Sequence, residues 1–119
     1  MKVKTNDLTD VALDWAVAEA DGTPIYRSGK TLSRMDVDGC VYWQPSSDWS
    51  QGGPIIEREC IELAYRVGVN WTATRVEGAS VCEVTVPYNQ RGRAQLIAAM
   101  RCYVMSQLGD EVDVPEELK

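Results

Sequence analysis

Between Ile61 and Val86 the apolar residues fall on every second position: Ile61, Leu63, Tyr65 and Val67, then Val69, Trp71 and Ala73, then Cys82, Val84 and Val86. A period of two is that of a strand with one covered face. Gly68 and the pair Glu77-Gly78 supply reversals between the runs. The segment therefore predicts an antiparallel meander, with Cys82, Val84 and Val86 toward the core and Glu83 and Thr85 toward solvent. Such a sheet needs a cover. Residues Ala94 to Leu108 provide one, because Leu96, Ile97, Met100, Tyr103, Val104 and Leu108 share a helical stripe and Gly109 follows as a stop.

The rest of the chain reads around that unit. Lys2 to Lys4 suits a short strand, Thr9 an N-cap with Leu8 and Leu13 as a hydrophobic staple, and Asp10 to Ala20 a helix closed by Asp21-Gly22. Leu8, Val11, Trp15 and Ala18 lie on one face of it, which places Trp15 in the core. Thr23 to Asp38 is a polar connection that admits one short strand, Cys40 to Trp43 a strand after Gly39, and Pro54 to about Cys60 a short helix. Pro87 to Gly92 breaks the pattern, and residues 110–119 form a short acidic tail, either solvated or docked by a turn after Pro115. The expectation is one α+β domain, residues 1–119, in which an antiparallel sheet of three to five strands is covered by a C-terminal helix and an N-terminal helix.

Composition narrows the function classes. The chain has 119 residues, enough to bury a core without metal or disulfides. A net charge of -6 opposes the counterion release that drives binding to nucleic acid or an anionic membrane. No apolar run is long enough to span a bilayer, and MKVKTNDLTD lacks the hydrophobic centre of a secretory signal, so the expected location is cytoplasmic. Cys40, Cys60, Cys82 and Cys102 are widely spaced and read as buried free thiols rather than metal ligands. With no histidine, the usual general base and the commonest metal ligand are missing. The chain is expected not to be an enzyme and to hold no cofactor; the one conceivable metal set, Asp48, Glu57 and Glu59, reads equally as a solvated helix face.

Candidate binding chemistry concentrates in Trp43 to Arg58, WQPSSDWSQGGPIIER. Pro54 suits the first position of a helix, and Gly52 and Gly53 let a backbone approach closely, so their N–H groups would present donors to an anion. Trp43 and Trp49 would stack on a planar group, Ser46, Ser47 and Gln51 would add neutral hydrogen bonds, and Arg58 would neutralise the anion if it turned back toward the loop. Asp48 belongs to the same set, although it and the serines would also serve to satisfy local backbone in a purely structural loop. Arg27, Lys30 and Arg34 form one basic cluster and Arg91, Arg93 and Arg101 a second. Gly29-Lys30-Thr31 copies the end of a phosphate-binding loop, but Pro24 stands where the opening glycine belongs, which leaves a basic turn.

Four stretches, MKVKTNDL with ALDWAVA, SSDWSQGGPIIERE, LIAAMRCYV and LGDEVDVPEEL, together resemble the NinX family of small proteins of lambdoid phages and prophages. The resemblance covers both ends and the centre, and is weak over 23–38 and 61–86. It implies an accessory protein in the cytoplasm of an infected or lysogenic bacterial host, without implying a reaction. On that setting the expected partner is a small nucleotide-like ligand held by the 43–58 loop, and sequestration of a host defence signal is the role it suggests. The alternative is a host bacterial protein, inhibited or regulated through Trp49, Ile55 and the acidic surface. A homodimer is admitted but not required.

Overall fold

The computed structural model describes residues 1–37, 39–66, 70–77, 80–87 and 93–118. Its elements are β1 (Lys2–Lys4), α1 (Asp10–Asp21), β2 (Tyr26–Ser28), β3 (Thr31–Asp36), β4 (Gly39–Tyr42), α2 (Trp49–Arg58), β5 (Glu62–Arg66), β6 (Asn70–Glu77), β7 (Ser80–Pro87), α3 (Ala94–Leu108) and β8 (Glu111–Asp113), with 3₁₀ turns at Thr5–Asp7 and Glu116–Leu118. The class is α+β, as the sequence predicts. The strands are divided among three small antiparallel sheets, β1-β8, β2-β3-β4 and β5-β6-β7, rather than gathered in one.

The meander carries the expected faces. Leu63, Ala73 and Val84 are in register across β5, β6 and β7, with Tyr65, Trp71 and Val86 as the next rank. Ala73, Val84 and Val86 are buried beneath α3, while Glu83 and Thr85 face outward. Val67, Gly68 and Val69, the reversal at Gly78 and residues 88–92 lie outside the described residues. Helix α3 is buried on more sides than one stripe predicts, since Ala98, Ala99 and Cys102 are inaccessible as well. The cause is position: β6 and β7 pack on it, and so do α1 and α2. Each large apolar side chain buried there stabilises the fold by roughly 1.5–3 kcal/mol. Leu108, at the helix end, is exposed.

Thr9 caps α1 in extended conformation without a side-chain bond, and Gly22 closes it at φ 73°, its N–H on the Ala18 carbonyl. That left-handed residue is where glycine costs least. Trp15 is half-buried at the edge of the core rather than within it.

Two further expectations change, and an alternative left open is decided. The connection after Thr23 is a hairpin, β2 to β3, turned at Gly29-Lys30 and extended by β4. Its apolar period was hidden because Leu32 is the one core residue on β3, while Tyr26 and Met35 face solvent. The acidic end is docked: β8 pairs with β1, the Met1 ammonium meets Asp113 Oδ1 at 2.6 Å, and Val112, Val114 and Leu118 are buried. Of the cysteines only Cys102 is buried; Cys82 is half-buried, and Cys40 and Cys60 are exposed.

Candidate functional site

The segment after β4 is held at nearly every backbone N–H. Trp43 donates its backbone N–H to Leu32 at 2.9 Å, and its buried indole Nε1 donates to the Asp14 carbonyl at 2.8 Å. Arg34 lies over that indole at 5.1 Å. Ser46 donates its N–H to Asp14 Oδ1 at 2.8 Å, and the N–H groups of Ser47 and Asp48 both reach the Gln44 carbonyl. Gln51 clasps the free edge of β4, accepting from Gln44 N–H at 2.7 Å and donating to the Tyr42 carbonyl at 2.6 Å.

Helix α2 begins at Trp49, not at Pro54. Asp48 is its N-cap, accepting from Ser50 N–H at 2.9 Å and Ser50 Oγ at 2.7 Å, while its carbonyl takes the N–H groups of Gln51 and Gly52. An aspartate in extended conformation is among the best N-caps, and it occupies the place an external anion would take. Pro54 is inside the helix, so no helix start faces outward there. Gly52 does permit a close approach, but to the protein itself: a Cβ there would meet Pro45 O at 2.5 Å and Leu96 Cδ2 at 2.6 Å. Gly53 faces nothing within 4 Å. Arg58 turns away from the loop, pairing with Asp21 at 2.5 Å and Glu59 at 2.7 Å and lying over the Tyr103 ring. Those contacts hold Asp21 below its ordinary value: burial pushes its carboxyl up, and the Thr23 hydroxyl and Arg58 outweigh it. Trp49 is 48 % exposed on the first turn of α2.

The remaining candidates divide between two concavities. One is an open groove of about 420 Å³ between α1, the β2-β3 turn and the Trp43–Ser47 segment. Trp43, Ser46 and Ser47 line it, with Asp10 and Asp14 from α1, Lys30 and Thr31 from the turn, and Arg93 at the head of α3. The second, about 870 Å³, runs between β4 and α2 past Arg34, Asp48 and Gln51. Tyr42 and Gln44 stand on the ridge common to both. Arg34 Nε is buried there without a hydrogen-bond partner among the described residues.

The first groove joins the two basic clusters, one residue from each. Arg27 pairs with Glu117 at 3.2 Å and Arg101 donates to the Leu8 carbonyl at 2.8 Å, so neither faces it, and Arg91 lies outside the described residues. Arg93 comes within 3.7 Å of Asp10. On the groove's α1 wall, Asp14 is only 5 % exposed. Burial pushes its carboxyl up from 3.8 to about 6, against the opposing bonds from Ser46. Sequence reasoning missed Asp14; the available signal was an acid between Leu13 and Trp15 inside the apolar run Val11 to Ala18, with the other acids of α1 at its ends.

Among the described residues no group of three carboxylates, histidines or thiols is placed to hold a metal ion, and no helix is long and apolar enough to cross a membrane. No curated protein matches the chain. The family model described as Bacteriophage P22, NinX matches residues 4–107, so the chain that builds this groove belongs to that phage protein family.

Proposed function

We propose that the protein is a non-catalytic phage accessory protein that binds a small ligand, through an anionic group, in the groove beside Trp43–Ser47. The observation that carries this reading is the arrival of Lys30 and Arg93, from distant parts of the chain, in one concavity with the hydroxyls of Thr31, Ser46 and Ser47. Its volume lies in the range of small-molecule sites. The backbone donors of Trp43, Gln44, Ser46, Ser47, Asp48, Ser50, Gln51 and Gly52 are spent on internal bonds, so side chains supply the recognition. In an infected cell such a protein would act by sequestering a ligand made by the host. The test is thermal unfolding of the intact chain against mono-, di- and cyclic nucleotides, inorganic phosphate, simple carboxylates and amino acids. A ligand of the native state raises the midpoint, and the rise should vanish in Lys30→Met with Arg93→Met. A rise that survives both substitutions would place the site elsewhere.

A second reading, binding of a host protein, is favoured by a different surface. Tyr26, Ser33 and Tyr42 are in register across β2, β3 and β4, and Met35 is opposite Cys40. Tyr26, Met35 and Tyr42 are 61, 62 and 66 % exposed, an apolar outward face, and Trp49 on α2 is exposed as well. If no small ligand shifts the midpoint and capture of a host protein is lost in Tyr42→Ser and Trp49→Ala, this reading replaces the first.

A further inference from the structure

The charges of the groove are sorted by wall. Asp10 and Asp14 stand on α1, whereas Lys30 stands on the β2-β3 turn; Arg93, at the head of α3, comes within 3.7 Å of Asp10. Two carboxylates and two cations leave the lining with no net charge, and a phosphate monoester reaching Lys30 would also face both acids. A ligand that carries both signs meets each wall with its complement. The groove, about 420 Å³ and open on one side, accommodates a molecule of amino-acid size with room for a side chain.

Asp14 is the second observation. Only 5 % of it is exposed, yet it lines the groove, and Ser46 holds its carboxylate through the backbone N–H on Oδ1 at 2.8 Å and through its side chain. A carboxylate held rigid in the wall of a concavity is a preorganised acceptor for an ammonium, whose three donors need acceptors and whose charge needs a partner. Its neighbours Ser46, Ser47 and Gln44 offer neutral oxygens for the remaining donors. Lys30 has no ion pair among the described residues, which leaves its ammonium available for the ligand's carboxylate.

We infer that the groove takes a small zwitterion of the α-amino acid class, its ammonium on Asp14 and its carboxylate on Lys30, with Arg93 released from Asp10 to share it. This inference rests on the groove being the ligand site proposed above and names the class of molecule that fills it.

The experiment is isothermal titration of the intact chain at neutral pH with free α-amino acids. Controls are the N-acetyl forms, which lack the ammonium, the carboxamides, which lack the carboxylate, and inorganic phosphate. Expected is binding of a subset of the free amino acids, at least tenfold weaker for their N-acetyl and carboxamide forms. Asp14→Asn keeps an oxygen for the Ser46 N–H and should lose at least tenfold in affinity while its urea midpoint holds or rises. Lys30→Met, on an exposed turn, should lose affinity without any change in midpoint. If affinity and midpoint fall together in Asp14→Asn while Lys30→Met binds normally, Asp14 is structural and the inference is overturned. If phosphate or the N-acetyl forms bind as tightly as the free amino acids, the zwitterion is overturned and the groove remains an anion site. If nothing binds here or in the nucleotide panel, the inference and the groove reading both fall.

Discussion

The Asp14 carboxylate accepts the Ser46 backbone N–H at 2.8 Å, a bond across 32 residues that ties the middle of α1 to the turn ahead of α2. The Asp14 carbonyl receives the Trp43 indole as well, so one residue grips the segment at two points. The candidate groove is therefore walled on one side by a helix that carries no obvious binding motif and on another by the Trp43–Ser47 segment.

That grip has a pH signature. The Asp14 carboxyl is pushed up from 3.8 to about 6, chiefly by burial, so between those values the native state keeps a proton that the unfolded chain has lost. Stability from this group is unaffected below the unfolded value, falls as pH rises toward the folded value, and is lowered by on the order of 2–3 kcal/mol above it. Asp14→Asn should thus gain about 1–2 kcal/mol over the parent at pH 7.5 and close to nothing at pH 4, as read from urea unfolding. An equal loss at both pH values would mean the carboxylate is no burden to the fold.

Adjacent glycines should respond with opposite signs. Gly52→Ala drives a methyl into Pro45 O and Leu96 Cδ2, and should cost about 1–3 kcal/mol by overpacking. Gly53→Ala meets open space within α2 and should add about 0.5–1 kcal/mol by helix propensity. Thermal midpoints of the two variants check this, and a drop of similar size in both would refute the close approach of α2 to α3.

The Gln51 amide takes two backbone groups at the edge of β4. Gln51→Ala should cost about 1–2 kcal/mol, near the worth of two hydrogen bonds. It should also speed exchange of the Gln44 amide hydrogen relative to the core of α3. Unchanged exchange at Gln44 would show that the edge is protected by something else.

Arg58 sits in a network with Asp21, Glu59 and Tyr103, away from both concavities. Arg58→Met should let the Asp21 carboxyl titrate nearer its ordinary value, seen by NMR, because one of the influences that lower it is lost. Groove binding should be unchanged. Loss of binding with the fold intact would bring Arg58 back to the ligand.

Much of the architecture was legible because local physics dictates it. The alternation through Leu63, Trp71, Ala73, Val84 and Val86, the stripe of α3 and the Gly22 stop of α1 are each set by neighbouring residues, and the structure has them. Where local signals competed, proximity misled: Pro54 suits a helix start, yet Asp48 caps the helix earlier with its own carboxylate. The β2-β3 hairpin gave no period because Leu32 is the one buried residue on its strands, while the apolar Tyr26 and Met35 face solvent.

The candidate site divides in the same way. The sequence by itself determined that the Trp43–Arg58 stretch carries unusual chemistry, that two basic clusters exist, and that histidine chemistry is absent. Only the tertiary structure decided that Lys30 and Arg93 meet beside Asp14, that Gly52 faces Leu96 instead of a ligand, and that Arg58 belongs to Asp21. The reason is that helix and strand preferences act over a few residues, whereas a groove's charge depends on which distant side chains packing brings to the same wall and on how much water it removes from them.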